Sequence, residues 1–155
     1  MKVGIIGSGE VAKTLAGGFL QHGHEVMLGT RTPAKLAEWA TAHPKASIAS
    51  FSEAAGFGEV VVLAVKGTVA VDALRAAGAA TLAGKPLIDV TNPIADVPPV
   101  NGVLRFFTTL EESLLERLQR EFVDVRFVKA FDQASWYSCQ EPSTRYDRSN
   151  RYWGD

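Results

Sequence analysis

The chain has 155 residues, 46% hydrophobic and 21% charged, which is enough for one domain with a sizeable core. Its 16 Lys and Arg and 17 Asp and Glu give a net charge of -1, without the basic excess typical of nucleic-acid-binding proteins. The one cysteine, Cys139, excludes an internal disulfide and a zinc site made of cysteines. The longest apolar run, at 60–65, is too short to span a membrane, and the first residues are not typical of a signal peptide. The sequence therefore predicts a small globular domain in the cytoplasm.

Short β-branched runs alternate with longer segments rich in alanine and leucine. In chain order this pattern predicts a strand at 3–6, a helix at 11–21, a strand at 25–28, a helix at 33–42, a weak strand at 47–49, a strand at 60–65, a helix at 68–80, a strand at 86–90, a helix ending near 120 and a strand at 123–131. Thr32 is expected to cap the second helix, and capping-box spacing predicts helix starts at Ser50 and Thr109. Apolar strands separated by helices predict a single α/β domain with a doubly wound parallel sheet, the Rossmann NAD(P)-binding fold.

A glycine-rich turn follows the first predicted strand. Residues 7–12 read Gly-Ser-Gly-Glu-Val-Ala, which matches the G-x-G-x-x-A pattern and lies between a strand and a helix, as that pattern requires. Gly7 allows a sharp turn, Gly9 allows backbone N–H groups to approach a pyrophosphate, and Ala12 allows close packing of the helix on the sheet. The positive end of the helix dipole also favours phosphates, so the turn predicts a dinucleotide site.

The end of the second predicted strand distinguishes NADP from NAD. An NAD site places Asp or Glu there to bind the ribose 2′-hydroxyl, whereas this chain reads Leu-Gly-Thr-Arg-Thr-Pro-Ala-Lys over 28–35. Thr30 and Thr32 offer hydroxyl groups, Arg31 offers a guanidinium suited to a phosphate, and Lys35 adds a more distant charge. These residues favour NADP(H) over NAD(H).

The ends of the later strands are expected to face the ribose and nicotinamide. Residues 65–68 and 91–94 fall there, and Asn92 and Pro93 offer an amide and an apolar wall. Lys66 is interpreted as solvated, with a ribose or phosphate contact as the alternative, and Asp89 as a structural hydrogen-bonding residue. The three histidines, at 22, 24 and 43, lie in connections and do not predict a metal site.

Several spaced segments resemble the deazaflavin (coenzyme F420)-dependent NADP oxidoreductase family, over about residues 1–131. They are Lys-Val-Gly-Ile-Ile-Gly-Ser-Gly at 2–9, Gly-His-Glu-Val at 23–26, Gly-Thr-Arg at 29–31, Leu-Ala-Val at 63–65, Ile-Asp-Val-Thr-Asn-Pro-Ile at 88–94 and Val-Lys-Ala-Phe at 128–131. The cytoplasmic part of the membrane metalloreductases, which pairs NADPH with a flavin, is similar too.

The resemblance implies both an activity and a set of site residues. The pyrophosphate would lie at Gly7, Ser8, Gly9, Glu10 and Val11, the 2′-phosphate at Thr30 and Arg31, and the nicotinamide toward Val65, Lys66, Asn92 and Pro93. The implied reaction passes a hydride between NADPH and a deazaflavin, such as F420, or a flavin as the small-molecule redox partner. Such a transfer needs no side chain that abstracts a proton.

The sequence departs from the family pattern at its C-terminal end. Asp132 stands where family members usually carry Asn, which donates as well as accepts hydrogen bonds. Residues 133–155 are polar and aromatic and stand in place of the family's further strands and helix. We therefore predict an NADP-binding domain at 1–132 and a tail at 133–155 that packs on the sheet or forms a lid or a homodimer contact.

Two other functions remain open beside the NADPH–deazaflavin or NADPH–flavin oxidoreductase. A reductase of small imines or hydroxy acids has a similar cofactor domain, although such enzymes use an added helical domain that does not fit in 155 residues. A catalytically silent NADP(H)-binding module, or a shortened relative, is favoured by Asp132 and the altered tail. Nucleic acid and membrane are not expected partners.

Overall fold

The computed structural model describes residues 1–131, which form a six-stranded sheet with helices on both faces. The elements are β1 (Lys2–Ile6), α1 (Glu10–Gln21), β2 (Glu25–Gly29), α2 (Ala37–Ala42), β3 (Ala46–Ala49), α3 (Phe51–Phe57), β4 (Val60–Leu63), α4 (Ala70–Ala77), α5 (Ala79–Leu82), β5 (Pro86–Asp89), α6 (Leu114–Glu121) and β6 (Arg126–Lys129). Short 3-10 turns at Pro33–Leu36 and Gly67–Val69 precede α2 and α4. All strand pairs are parallel, in the order β3-β2-β1-β4-β5-β6, which confirms the predicted doubly wound fold.

The inner strands are mainly apolar because both faces of the sheet are covered. One buried cluster, under α1 and α2, includes Val3, Ile5 and Leu15. The other, under α3 to α6, includes Ile6 and Leu63. Successive side chains of a strand point to opposite faces, so the inner strands carry apolar residues at consecutive positions rather than at alternate ones.

Several predicted elements differ from the structure in extent, and for three of them the physical reason is clear. β4 ends at Leu63 rather than at 65, because its partner β1 ends at Ile6 in the register that pairs these two residues. The helix predicted over 68–80 is replaced by a 3-10 turn, α4 and α5, and Gly78, with a φ of 93°, separates α4 from α5. β6 begins at Arg126 rather than at 123, because a turn precedes it in which the Val125 N–H donates to the Phe122 carbonyl at 3.0 Å.

The helix starts include one confirmed capping box and one incorrect cap. The Ser50 hydroxyl accepts from the Glu53 N–H at 3.3 Å, and the Glu53 carboxylate accepts from the Ser50 N–H at 2.8 Å, as predicted. Thr32 does not cap the next helix through its side chain. Instead, its N–H donates to the Thr30 hydroxyl oxygen at 3.1 Å and the chain enters a 3-10 turn.

The capping box predicted at Thr109 is also wrong, since α6 begins four residues later with a box formed by Ser113 and Glu116. Both Thr109 and Ser113 are followed three residues on by a glutamate. Only Ser113 precedes a helix face that the core accepts, because Leu114 and Leu118, four residues apart, are both buried. Burial of the apolar face decides between two equivalent cap signals.

The long connection between β5 and α6 contains a hairpin that the sequence analysis does not predict. Its arms are joined by antiparallel bridges at Ile94 with Phe106 and at Val100 with Val103. The Phe107 N–H donates to the Pro93 carbonyl at 2.9 Å and closes the base of the hairpin. Several of its apolar side chains are exposed, including Phe106 at 59%.

Within residues 1–131, no helix combines the length and apolar character needed to cross a membrane. Asp132 and the predicted tail at 133–155 lie outside the described residues.

Candidate functional site

A groove of about 850 Å³ runs along the edge of the sheet at which β1, β4 and β5 end. Six residues predicted from the sequence line it, namely Gly9, Glu10, Val11, Val65, Lys66 and Asn92. The hairpin forms a further wall through residues 94–98. This edge is where doubly wound folds bind their ligands.

The glycine turn at the end of β1 has the geometry that a pyrophosphate requires. Gly7 has a φ of 144°, and an added Cβ would overlap the carbonyl oxygen of Ala64, so a side chain there would separate β1 from β4. Gly9 is the N-cap residue of α1, and no side chain caps this helix end. A Cβ at Gly9 would meet no protein atom within 4 Å, because the position opens on the groove. The free N–H groups of the first turn therefore fit an anionic ligand.

The side chains around this turn leave the helix end accessible. Ser8 is half-buried and Val11 is 52% exposed. Glu10 carries a negative charge in the first turn of α1, but its carboxylate pairs with the Lys13 ammonium group at 3.0 Å. This exposed pair offsets the repulsion that an unpaired Glu10 would exert on a phosphate.

At the end of β2, hydrogen bonds of Thr30 fix the backbone, and the guanidinium of Arg31 is exposed. Thr30 is buried, its N–H donates to the Ala49 carbonyl at 2.9 Å, and its hydroxyl oxygen accepts from the Thr32 N–H. Arg31 is exposed, and no carboxylate within residues 1–131 forms a salt bridge with it. Lys35 is exposed in the following 3-10 turn and lines neither the groove nor the cavity beside Arg31.

Arg31 borders a small cavity of about 90 Å³. The apolar side chains of Phe51, Val65 and Val69 line it, and Asp72 adds a carboxylate at the margin. Val65 also lines the main groove, so the small cavity adjoins the groove at this residue. An apolar cleft beside a guanidinium suits a flat, uncharged ring.

Lys66 forms an ion pair across two loops. Its ammonium group lies 3.0 Å from Asp96 Oδ1, and the Thr68 hydroxyl donates to Asp96 Oδ2 at 2.9 Å. The hydrogen bond from Lys66 lowers the pKa of Asp96 most, and the hydrogen bond from Thr68 lowers it further. Asp96 is not predicted from the sequence, because its only signal is its position a few residues after the Asn92–Pro93 turn.

The segment that follows β5 is fixed by hydrogen bonds to Asp89 and by contacts with Gly67 and Phe107. Asp89 is fully buried and accepts hydrogen bonds from the backbone and hydroxyl of Thr91, which confirms its structural role. The Asn92 carbonyl lies against Gly67, where a Cβ would overlap it, and the Pro93 carbonyl accepts from Phe107. The exposed Asn92 therefore lines the groove in a fixed position, and the half-buried Pro93 follows it without lining the groove.

The titratable residues lining the groove are Glu10, Lys66 and Asp96, and each forms an exposed ion pair. In the described part of the chain, no group of three or more His, Cys, Asp or Glu is placed to hold a metal ion. The groove thus offers backbone donors at one end and apolar walls at the other. Such a site can position two reactants without supplying a buried acid or base.

Comparison with known proteins gives the family. The model of the family described as NADP oxidoreductase, coenzyme F420-dependent, matches residues 2–93. No curated protein matches the chain. A candidate F420-dependent NADP reductase from Arthrobacter sp. FB24 is 36% identical, with a TM-score of 0.82 over 88% of this chain and 65% of that one.

Two imine reductases share the fold. That from Bacillus cereus is 21% identical, with a TM-score of 0.64 over 88% of this chain and 42% of that one. That from Myxococcus stipitatus, in complex with NADP+, is 20% identical, with a TM-score of 0.59 over 83% of this chain and 40% of that one. The chain belongs to the F420-dependent NADP oxidoreductase family, and it spans 65% of the length of the Arthrobacter protein.

Proposed function

We propose that this member of the F420-dependent NADP oxidoreductase family binds NADPH in the groove and passes its hydride to a deazaflavin or flavin. The observation that carries the proposal is the groove itself, in which an uncapped helix end and a glycine turn face apolar walls. Family membership supports the same cofactor.

The residues of the glycine turn would bind the pyrophosphate. The first-turn N–H groups of α1 supply donors without a competing side-chain cap, and Gly9 leaves space for the phosphates. At the end of β2, Thr30 and Arg31 would bind the 2′-phosphate, since the hydroxyl is fixed in place and the exposed guanidinium lacks a carboxylate partner in the described structure. The adenine would occupy the cleft between Arg31 and Val69.

The apolar end of the groove would receive the nicotinamide. Asn92 and Pro93 are held at the end of β5, and Val65, Ile94 and Val97 supply walls around them. NADPH, once bound, supplies the hydride from its nicotinamide ring. The side chains of the groove then have to hold two flat rings in contact and exclude water, a contribution that reaches about 7–11 kcal/mol for well-oriented reactants.

Titration calorimetry with NADPH, and with NADH as control, tests the cofactor. We expect tight binding of NADPH and weak binding of NADH. Anaerobic mixing of the protein, NADPH and either coenzyme F420 or FMN then tests the reaction through the loss of NADPH absorbance. Binding without oxidation by either acceptor would support the silent NADP(H)-binding module instead, and absence of NADPH binding would refute the proposal.

A further inference from the structure

We propose that Lys129 is a positioning residue that fixes the nicotinamide wall of the groove through the buried carboxylate of Asp89. This inference rests on the proposed function. It concerns the Val-Lys-Ala-Phe segment at 128–131, which begins at the end of β6 and does not line the groove.

Three residues at the ends of β5 and β6 form a closed network. Asp89 Oδ1 accepts from the Thr91 N–H at 2.9 Å and from the Thr91 hydroxyl at 2.7 Å. Asp89 Oδ2 lies 3.2 Å from the Lys129 ammonium nitrogen, which also donates to the Thr91 carbonyl oxygen. Every polar group of Thr91 is therefore engaged, so the peptide that leads to Asn92 has one orientation.

Burial makes this network depend on its lysine. Asp89 is 0% exposed and Thr91 is 1% exposed, whereas the Lys129 side chain is 29% exposed. A fully buried carboxylate is retained where it is paired and hydrogen-bonded, and Lys129 is its cationic partner. Without that ammonium group, the Asp89 carboxylate would keep only its two hydrogen bonds from Thr91, and the Thr91 carbonyl would lose its donor.

Direct contacts connect this network to the groove. Asn92 follows Thr91, and its carbonyl packs against Gly67, next to Lys66 on the opposite loop. A shift of the Thr91–Asn92 peptide would therefore move the Asn92 side chain and Pro93 relative to the nicotinamide. The phosphate-binding turn at the end of β1 shares no hydrogen bond with this network.

Lys85 provides a matched control at the opposite end of β5. Its ammonium group donates to the carbonyls of Ala55, Gly56 and Gly58 at 2.7, 3.2 and 2.9 Å, so it is also a multiply bonded lysine. Because Lys85 precedes the first residue of β5 and Lys129 lies beside its last, only Lys129 is next to the groove.

The test compares Lys129→Met, Lys129→Arg and Lys85→Met in the full chain. Amide hydrogen exchange, which needs no cofactor, is expected to accelerate at Thr91 by about tenfold or more in Lys129→Met and not in Lys85→Met. With NADPH and coenzyme F420, kcat is expected to fall about 10- to 100-fold in Lys129→Met, with the KM for NADPH within about threefold of wild type. Lys129→Arg should restore part of both.

Each result has a defined meaning. Unchanged exchange at Thr91 would overturn the network, whatever the activity, and accelerated exchange with an unchanged kcat would overturn the positioning role. An equal loss of kcat in Lys85→Met would also overturn it, since general destabilisation would then explain both. Wild-type protein that does not oxidise NADPH would defeat the proposed function and the positioning role with it, while the exchange data would still decide whether Lys129 holds the turn. If Lys129→Met does not fold, Lys129→Gln, which removes the positive charge and keeps a neutral donor, replaces it with the same expected direction.

Discussion

Arg31→Ala measures the contact that is proposed to select NADPH over NADH. The guanidinium is exposed, and no described carboxylate pairs with it, so its removal breaks no ion pair and should leave the free energy of unfolding within about 0.5 kcal/mol of wild type. A hydrogen bond between charged groups contributes about 1.5–3 kcal/mol. NADPH binding should therefore weaken about 10- to 150-fold.

The comparison with NADH separates two roles of this side chain. Arg31 also borders the small cavity assigned to the adenine, a ring that both cofactors carry. The loss of NADH affinity measures that shared contact and is expected to stay below about fivefold, since an exposed cation contributes about 0.5–1 kcal/mol over a ring. Lys35→Ala is the control, because Lys35 is basic, exposed and outside both cavities. Equal losses for NADPH and NADH would refute a 2′-phosphate contact by Arg31.

Three further predictions concern the turn and the helix caps. Gly7→Ala should abolish NADPH binding and lower the Tm, because its Cβ overlaps the Ala64 carbonyl oxygen; wild-type titration and melting curves would contradict this close approach. Ser113→Ala should lower the free energy of unfolding by about 1 kcal/mol in urea denaturation, whereas Thr109→Ala should change it by less than about 0.5 kcal/mol, and similar losses would place the cap elsewhere. Hydrogen bonds with the backbone and hydroxyl of Ser113 lower the pKa of Glu116 in the folded state, so their stabilisation is present above the unfolded pKa and is lost as the pH falls through the folded pKa. Glu116→Gln should therefore flatten the decline in stability below about pH 4.3, and an unchanged acid decline would exclude this contribution.

The fold could be predicted because its signals are local and repeat along the chain. Apolar runs such as Val60–Leu63 are buried on both faces, and the glycine turn lies between a strand and a helix. Strands that are apolar on both faces are buried in a parallel sheet that helices cover on two sides. The ends of the elements depended on the partner strand instead, and β4 therefore ends two residues earlier than the sequence predicts.

The cap of α6 illustrates where local signals become ambiguous. Thr109 and Ser113 offer the same spacing to a glutamate, and only the position of the core under Leu114 and Leu118 separates them. Asp96 is a similar case, since its partners Lys66 and Thr68 are about 30 residues away along the chain. Contacts between two loops of different strands leave no pattern in either loop.

The phosphate end of the groove could be predicted from the sequence better than its apolar end. A phosphate is bound largely by backbone N–H groups, so its site requires glycines and a helix start within about six consecutive residues and is visible as a motif. The apolar end of the groove is bounded by the hairpin, whose exposed apolar side chains, such as Val97 and Phe106, follow no strict spacing. Apolar walls accept any residue of suitable volume. The residues that fix such a wall are then more informative than the wall itself. In this chain Asp89 and Lys129 are proposed to do so, because their partly buried ion pair holds both the N–H and the carbonyl of Thr91.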